Sequence, residues 1–398
     1  MWQQIRSNQI RSVILVTALG MVLLAIGFVM GVAFLGSWVG GIILALVIWI
    51  VLNMVALFGG DGILLSMSHA KKISKKDHPR LYNVVEEMKI ASGLEYMPEI
   101  YIIDDPALNA FATGRNPKKA AVAITSGLLQ KLNRDELQGV IAHEMAHIKN
   151  RDVLLMTLCS ILLGAIVLLA EIMFWSILFG GASSRRRSSG GGGGHAIIMI
   201  IGIALMILAP ILAHLIYFAI SRRREYLADA SGALYTRYPE GLASALEKIG
   251  SSTGQLKSAT KATAPMYIAN PFREKGRAAN DLSSTHPPLS ERIRILRSMG
   301  GGAGLTDYEQ AYEKVHKGGG NLMPAAALTG SVAASAPSKG SKSERLEMAR
   351  ETSDLLWKQN DYSMVNCECG TRLKVPPNYK GDSVKCPHCG RINSVPGK

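Results

Sequence analysis

Apolar positions in this chain are grouped into long blocks rather than the short alternations of a soluble core. Residues 13–35 and 38–58 carry no charged side chain, and each is long enough to cross a hydrocarbon layer about 30 Å thick at about 1.5 Å per helical residue. Gly36 and Ser37 mark a turn between them. Residues 153–179 and 196–220 form a second pair, divided by Gly180-Gly181, Arg185 to Arg187 and the glycine run 190–194. The pattern predicts four transmembrane helices in two hairpins, hence a mainly α integral membrane protein. The first span is too long, and too closely followed by another, for a cleaved signal peptide.

Between the hairpins the period changes. From His78 to Gly93, Leu81, Val84, Val85, Met88 and Ile90 recur at helical intervals with lysines opposite. Glu99 to Ile103 reads as a strand, Asp105 and Pro106 as a turn, Asn109 to Thr113 as extended, and Ala120 to Thr125 as a short β run. One helical stretch is expected over 221–250, polar loop over 251–284, and a helix from Leu289 to Met299 opened by Pro287 and Pro288. These elements predict a small α+β domain from 61–152 and 221–317, with the hairpins at 1–60 and 153–220. Residues 318–343 read as a flexible linker. A short helix, Glu344 to Lys358, then leads into a cysteine module within 344–398.

The net charge of +14 sits largely at span ends and is weak evidence for nucleic acid. Arg6 and Arg11, Lys71 to Lys76, and Arg222 to Arg224 fall on one side if both hairpins cross, which predicts that side to be cytoplasmic. Arg185 to Arg187 oppose this: either the short loop is an exception or the second hairpin does not fully cross. The expectation is a multi-pass protein of the cell inner (plasma) membrane, with its α+β domain and C-terminus in the cytoplasm. Glu171 and His214, ionisable groups inside spans, are candidates for a functional pair or for a protonated carboxyl packed between helices.

The strongest chemical signal is His143-Glu144-Met145-Ala146-His147. On a helix the two imidazoles share a face and can reach one tetrahedral Zn²⁺, with Glu144 placed as general base. Asn133 offers an N-cap, with Asp135 and Glu136 in the first turn. Two histidines leave a catalytic zinc one protein ligand short. Glu225, just beyond the fourth span, is the candidate: it and His147 both lie roughly 7 to 9 Å from the same membrane boundary. The alternative is that Glu225 pairs with its neighbouring arginines. Asp229, one turn on, can orient a ligating imidazole or be a solvated charge.

The ordered set from Asn133 to Leu137, His143 to His147, Ser221 to Asp229, Thr285-His286-Pro287-Pro288 and Arg292-Ile293 resembles the HtpX-type membrane zinc metalloproteases, relatives of the CAAX prenyl proteases, over about residues 1 to 300. The resemblance implies a gluzincin-like metalloprotease domain. It also implies zinc on His143, His147 and Glu225, Glu144 as base, and Asp229 supporting a ligand. The expected activity is endopeptidase cleavage of membrane or misfolded proteins at the cytosolic face, in protein quality control. His286 and Arg292 match positions near the cleft, where a donor to the carbonyl oxygen is needed, though a histidine at a helix start is also structurally ordinary. Asn109, Ala110, Phe111 and Ala112 resemble the substrate-side strand, whose exposed edge could take an extended peptide; a buried core strand is the alternative.

Of the five cysteines, Cys159 lies in a span. Cys367, Cys369, Cys386 and Cys389, with 16 residues between the pairs, resemble a zinc ribbon and imply a second, structural zinc. The first pair is one residue tighter than usual, which leaves His388 as a substitute ligand. Expected partners are the lipid bilayer, polypeptide substrates, and a protein or nucleic acid at the ribbon. Two other readings stay open: a site-specific processing protease, and a membrane-tethered binding protein acting through the ribbon.

Overall fold

The protein is described from a computed structural model covering residues 2–180, 222–252, 254–259, 263–271, 286–317, 322–323, 328, 330–337 and 342–395, with isolated positions at 204, 207, 208, 211 and 325. The first hairpin is formed by α1 (Trp2–Met30), a π turn over Gly31–Leu35, and α2 (Trp38–Met67). Gly36 supplies the left-handed φ of 64° that ends the π turn, and Ser37 caps α2 by accepting from Gly40 N–H at 3.2 Å. Leu15, Leu19, Leu23 and Ile26 of α1 are buried against Leu155, Leu162 and Ile166 of α6 (Asp152–Gly180). Many other apolar side chains of α1 and α2 face outward, including Val13, Met21, Ile43 and Phe58. Among the described residues two helices, Val13–Met30 and Trp38–Met67, are long and apolar enough to cross a membrane. The fourth predicted span, with His214, and the arginines of the intervening loop lie outside the described residues or among its isolated positions.

The α+β unit holds a four-stranded sheet in the order β1-β2-β4-β3. Its strands are β1 (Lys71–Ile73), β2 (Glu99–Ile103), β3 (Ala110–Thr113) and β4 (Ala121–Thr125). β2 and β4 are parallel, β1 and β3 antiparallel to their neighbours, and β3 forms an edge. One face packs on α3 (Pro79–Ser92), α5 (Arg134–Lys149) and the short α4 (Ser126–Lys131). The other face, with Phe111 and Ala123, covers Leu64 and Leu65 at the end of α2 and Tyr267 from the polar stretch.

The stretch expected as one helix over 221–250 is two: α7 (222–236) and α8 (Pro239–Ser251). The chain turns at Arg237, whose φ is 53°, and restarts at Pro239, which is well tolerated at a first helical position. Helices α9 (Leu289–Arg297) and α10 (Leu305–His316) complete the domain. Gly139 lets α5 and α8 touch backbone to backbone, since a Cβ there would sit 2.7 Å from Leu242 N.

The segment expected to be a linker makes specific contacts where it is described. Glu309 accepts from Leu322 N–H at 2.6 Å and Met323 N–H at 3.1 Å, and both residues are buried. Helix α11 (Lys342–Gln359) contributes Met348 and Leu355 to the main core. Its Thr352 Oγ1 lies 3.0 Å from Nε2 of the buried His78, the N-cap of α3. The module beyond is two hairpins, β5 (Ser363–Asn366) with β6 (Arg372–Val375) and β7 (Ser383–Lys385) with β8 (Ile392–Ser394).

Candidate metal centre

Helix α5 starts where the sequence places it. Asn133 accepts from Glu136 N–H at 2.9 Å while Glu136 accepts from Asn133 N–H at 2.8 Å, so both orphan donors are satisfied reciprocally. The helix carries His143, Glu144 and His147 inward, all buried. Helix α7 comes alongside with small residues facing it. A Cβ at Gly232 would meet His143 N at 3.3 Å, so glycine there permits the approach that brings Glu225 across from the histidines.

One ligand atom from each of His143, His147 and Glu225 lies within 4.8 Å of the others. The two Nε2 atoms face each other at 3.2 Å, and Glu225 places Oε2 3.5 Å from His143 Nε2 and Oε1 3.4 Å from His147 Nε2. Each Nδ1 is turned to a different carboxylate: His143 to Asp229 at 3.0 Å and His147 to Asp152 at 3.3 Å. With protons held on Nδ1, both Nε2 lone pairs point inward at each other and at an anionic oxygen. Such a set of converging acceptors fits a cation, and two imidazoles with one carboxylate are a zinc-type donor set that leaves a coordination position open.

Burial works to raise the carboxyl of Glu225, but His286 and the hydrogen bonds of the imidazoles hold it well below its usual range. Glu144, immediately beside, is shifted the other way: burial raises its carboxyl above the ordinary value, opposed by the flanking histidines. The backbone N–H of Ala112 works in the same lowering direction, which sets the candidate base beside β3. A raised carboxyl near a metal is better matched to taking up and returning a proton near neutral pH.

The structure gathers His143, His147, Glu225, Asp229, His286 and Arg292 around one point, whereas the Asn109–Ala112 segment meets it only in part. Arg292 is wholly buried; its fork donates to Asp229 at 2.8 Å and 2.6 Å, and Nη1 to Ile268 C=O at 3.2 Å. The same Nη1 lies 3.2 Å from Glu225 Oε2, and His286 Nδ1 lies 3.0 Å from that oxygen. Along β3, Phe111 turns to the far face and packs edge-on to Tyr267 with ring centroids 5.0 Å apart. The outer edge is partly occupied: Ile268 N–H donates to Ala110 C=O at 2.9 Å, and the Asn109 side chain donates to Ala269 C=O at 2.9 Å.

Asp152, 3.3 Å from His147 Nδ1, is the residue at the site that sequence reasoning missed. Its signal was its place five residues after His147, where an acid at the start of a helix has an ordinary explanation. The stretch 266–269 gave no signal, because its composition reads as loop.

In the C-terminal module all four cysteine sulfurs lie within 4.8 Å of one another. Cys367 and Cys389 approach to 3.4 Å and Cys369 and Cys386 to 3.7 Å. Gly370 and Gly390, at φ 85° and 76°, turn the two knuckles. The tighter first pair is therefore accommodated, and His388 lies outside the cluster on an exposed position.

Comparison with known proteins agrees with the geometry. Residues 75–300 match peptidase family M48. A protease HtpX homolog of Dictyoglomus turgidum is 46% identical over 260 residues, covering 65% of this chain and 82% of that protein. Another from Levilactobacillus brevis is 43% identical over 303 residues, 75% of this chain and 100% of its own length. The crystal structure of S. mikatae Ste24p aligns with a TM-score of 0.40 and 21% identity, covering 74% of this chain and 67% of that one. The matched region contains the buried His143, Glu144, His147 and Glu225, and the chain belongs to peptidase family M48, as a metalloprotease of the HtpX kind.

Proposed function

We propose that the protein is a membrane-anchored zinc endopeptidase in which His143, His147 and Glu225 hold the metal and Glu144 is the general base. The observation that carries this reading is the convergence of two Nε2 atoms and a carboxylate within 4.8 Å, with a buried, raised carboxyl next to them. Zinc there supplies Lewis acidity toward a water and the scissile carbonyl. The chain's own residues do the rest. Glu144 takes the water proton and returns it to the leaving amine, and Asp229 keeps the His143 imidazole in the ligating tautomer. His286 and Arg292, both against Glu225 Oε2, offer hydrogen-bond donors beside the metal site, and the Asn109–Ala112 edge orients the peptide through what remains of its outward backbone groups.

Four spans, a cytoplasmic catalytic domain at the inner membrane, and a role in clearing membrane or misfolded proteins complete the proposal. Support comes from the Lys and Arg at span ends and from the HtpX homologs' resemblance. A second zinc on Cys367, Cys369, Cys386 and Cys389 belongs to it as well, with a protein or nucleic acid as the ribbon's partner. The test is zinc per chain together with casein cleavage in detergent. Wild type is expected to hold two zincs and cleave. Glu144→Gln should keep both and lose cleavage, and a Cys367→Ser/Cys386→Ser double variant should keep one and still cleave. Zinc lost with the cysteines from a wild type that never cleaves would sink the reading in favour of a tethered binding module.

A further inference from the structure

The two metal-facing histidines are supported in the same way from opposite sides. His143 Nδ1 meets Asp229, and the carboxylate of Asp229 is in turn held by the Arg292 fork. His147 Nδ1 meets Asp152 Oδ2 at 3.3 Å, and Asp152 Oδ1 lies 3.6 Å from Arg224 Nε. Asp152 is fully buried and Arg224 nearly so. We infer that Asp152 is a positioning residue for the peptidase reaction. It fixes the tautomer and ring orientation of His147 and, through Arg224, sets the level at which the next residue, Glu225, faces the histidines. This rests on the zinc reading of the site.

The local chain path makes the placement specific. Helix α5 ends at Asn150, whose N–H donates to Ala146 C=O at 2.9 Å, and Arg151 adopts a φ of 58°. A left-handed residue other than glycine is disfavoured, so the corner is held by its surroundings. The reversal swings Asp152, first residue of α6, back beside the last turn of α5. An acid in a first helical turn usually faces water, where it offsets the helix dipole at little expense. Burying it costs several kcal/mol unless charged or donating partners meet it. Here those partners are a metal-facing imidazole and the guanidinium next to a metal-facing carboxylate. One carboxylate thus joins three helices, α5, α6 and α7. A hydrogen-bonded carboxylate on the far nitrogen both keeps the Nε2 lone pair available and raises the basicity of the ligand.

The experiment uses the full-length protein in detergent, loaded with zinc and dialysed against graded concentrations of a chelator. Zinc per chain is measured, and the ribbon's ion serves as an internal reference. Asp152→Ala is expected to release the protease-domain zinc at about 10- to 100-fold lower chelator strength, with ribbon zinc unchanged. Asp152→Asn, whose amide oxygen can still accept from Nδ1–H, should recover much of that loss, and Arg224→Gln should show a smaller shift in the same direction. Leu155→Ala, which loosens α6 packing nearby without touching the carboxylate, should leave zinc retention where it was. Wild-type retention in Asp152→Ala, no recovery in Asp152→Asn, or an equal loss in Leu155→Ala would each overturn the assignment. A wild type with no zinc beyond that of the ribbon would overturn the site itself.

Discussion

Removing the guanidinium of Arg292 should be among the most damaging single changes in the protease domain, and its size follows from burial. Arg292 and Asp229 are both fully buried, and their two-bond fork is the main counter-charge to that carboxylate. In Arg292→Ala the carboxylate stays in an apolar interior with only His143 to face it, and Ile268 C=O loses its donor. Breaking a buried pair from one side costs about 3–5 kcal/mol. At about 2–4 °C per kcal/mol for a domain of this size, the melting temperature should fall by about 6–20 °C. Arg292→Lys keeps the charge without the fork and should recover only part of this.

The pH dependence is distinctive. In wild type, burial raises the Asp229 carboxyl but Arg292 outweighs it and holds it below the ordinary 3.8. Its contribution is thus present above that value and lost as pH falls through the lowered one. Without Arg292 the burial effect is opposed chiefly by His143 and the carboxyl shifts upward, so the variant's deficit is greatest near neutrality and shrinks on acidification. Circular-dichroism melts of zinc-loaded protein at pH 7.5 and 5 measure both effects. A variant melting within about 2 °C of wild type at pH 7.5, or a gap that widens at pH 5, would refute the reasoning.

Three further outcomes are expected. Burial, with Arg80 nearby, lowers His78 from 6.5 to about 4. The unfolded chain therefore takes up a proton that the fold does not, and about 3 kcal/mol of stability present above pH 6.5 is lost as pH falls to about 4; urea titrations across that window should show a flatter slope in His78→Ala. Gly139→Ala would place a Cβ 2.7 Å from Leu242 N and 2.8 Å from its Cα, both unyielding backbone atoms, and should destabilise the domain by about 1–3 kcal/mol in the same titration. Glu309→Ala removes the acceptor for Leu322 and Met323 N–H, and limited trypsin digestion should then cut within residues 318–343 faster than in wild type.

Much of the site was legible because its parts obey local rules. Asn133 and Glu136 announce the start of α5, and the four-residue step from His143 to His147 fixes a shared face. Glu225 and Asp229 repeat that step on α7. What was not legible depends on chain reversal or on distant packing. Asp152 acts through the corner at Arg151, whose φ of 58° no composition rule foresees. Ile268 joins the β3 edge from a stretch with no strand pattern of its own. The break at Arg237 does have a local signal, since Pro239 is disfavoured inside a helix and accepted at a first helical position, so the single helix expected over 221–250 overlooked it. The attachment of α11 was hidden because Met348, Thr352, Leu355 and Leu356, which meet the core, are interspersed with charged positions and an exposed Leu346.

That attachment gives the ribbon the character of a ruler. Met348 and Leu355 share the main core, Thr352 meets the α3 cap, and Lys71, four residues past the end of α2, reaches Gln359 C=O at 3.0 Å. A ligand held on a loose tether is governed by linker length and effective concentration. A ligand bound on the cysteine module would instead be set at a fixed offset from both α2 and the metal centre. Adding one turn to the end of α11 would displace it by about 5.4 Å. For a substrate engaged at both places, such a step would move the cleaved bond along the chain by one or two residues rather than change how tightly it is held.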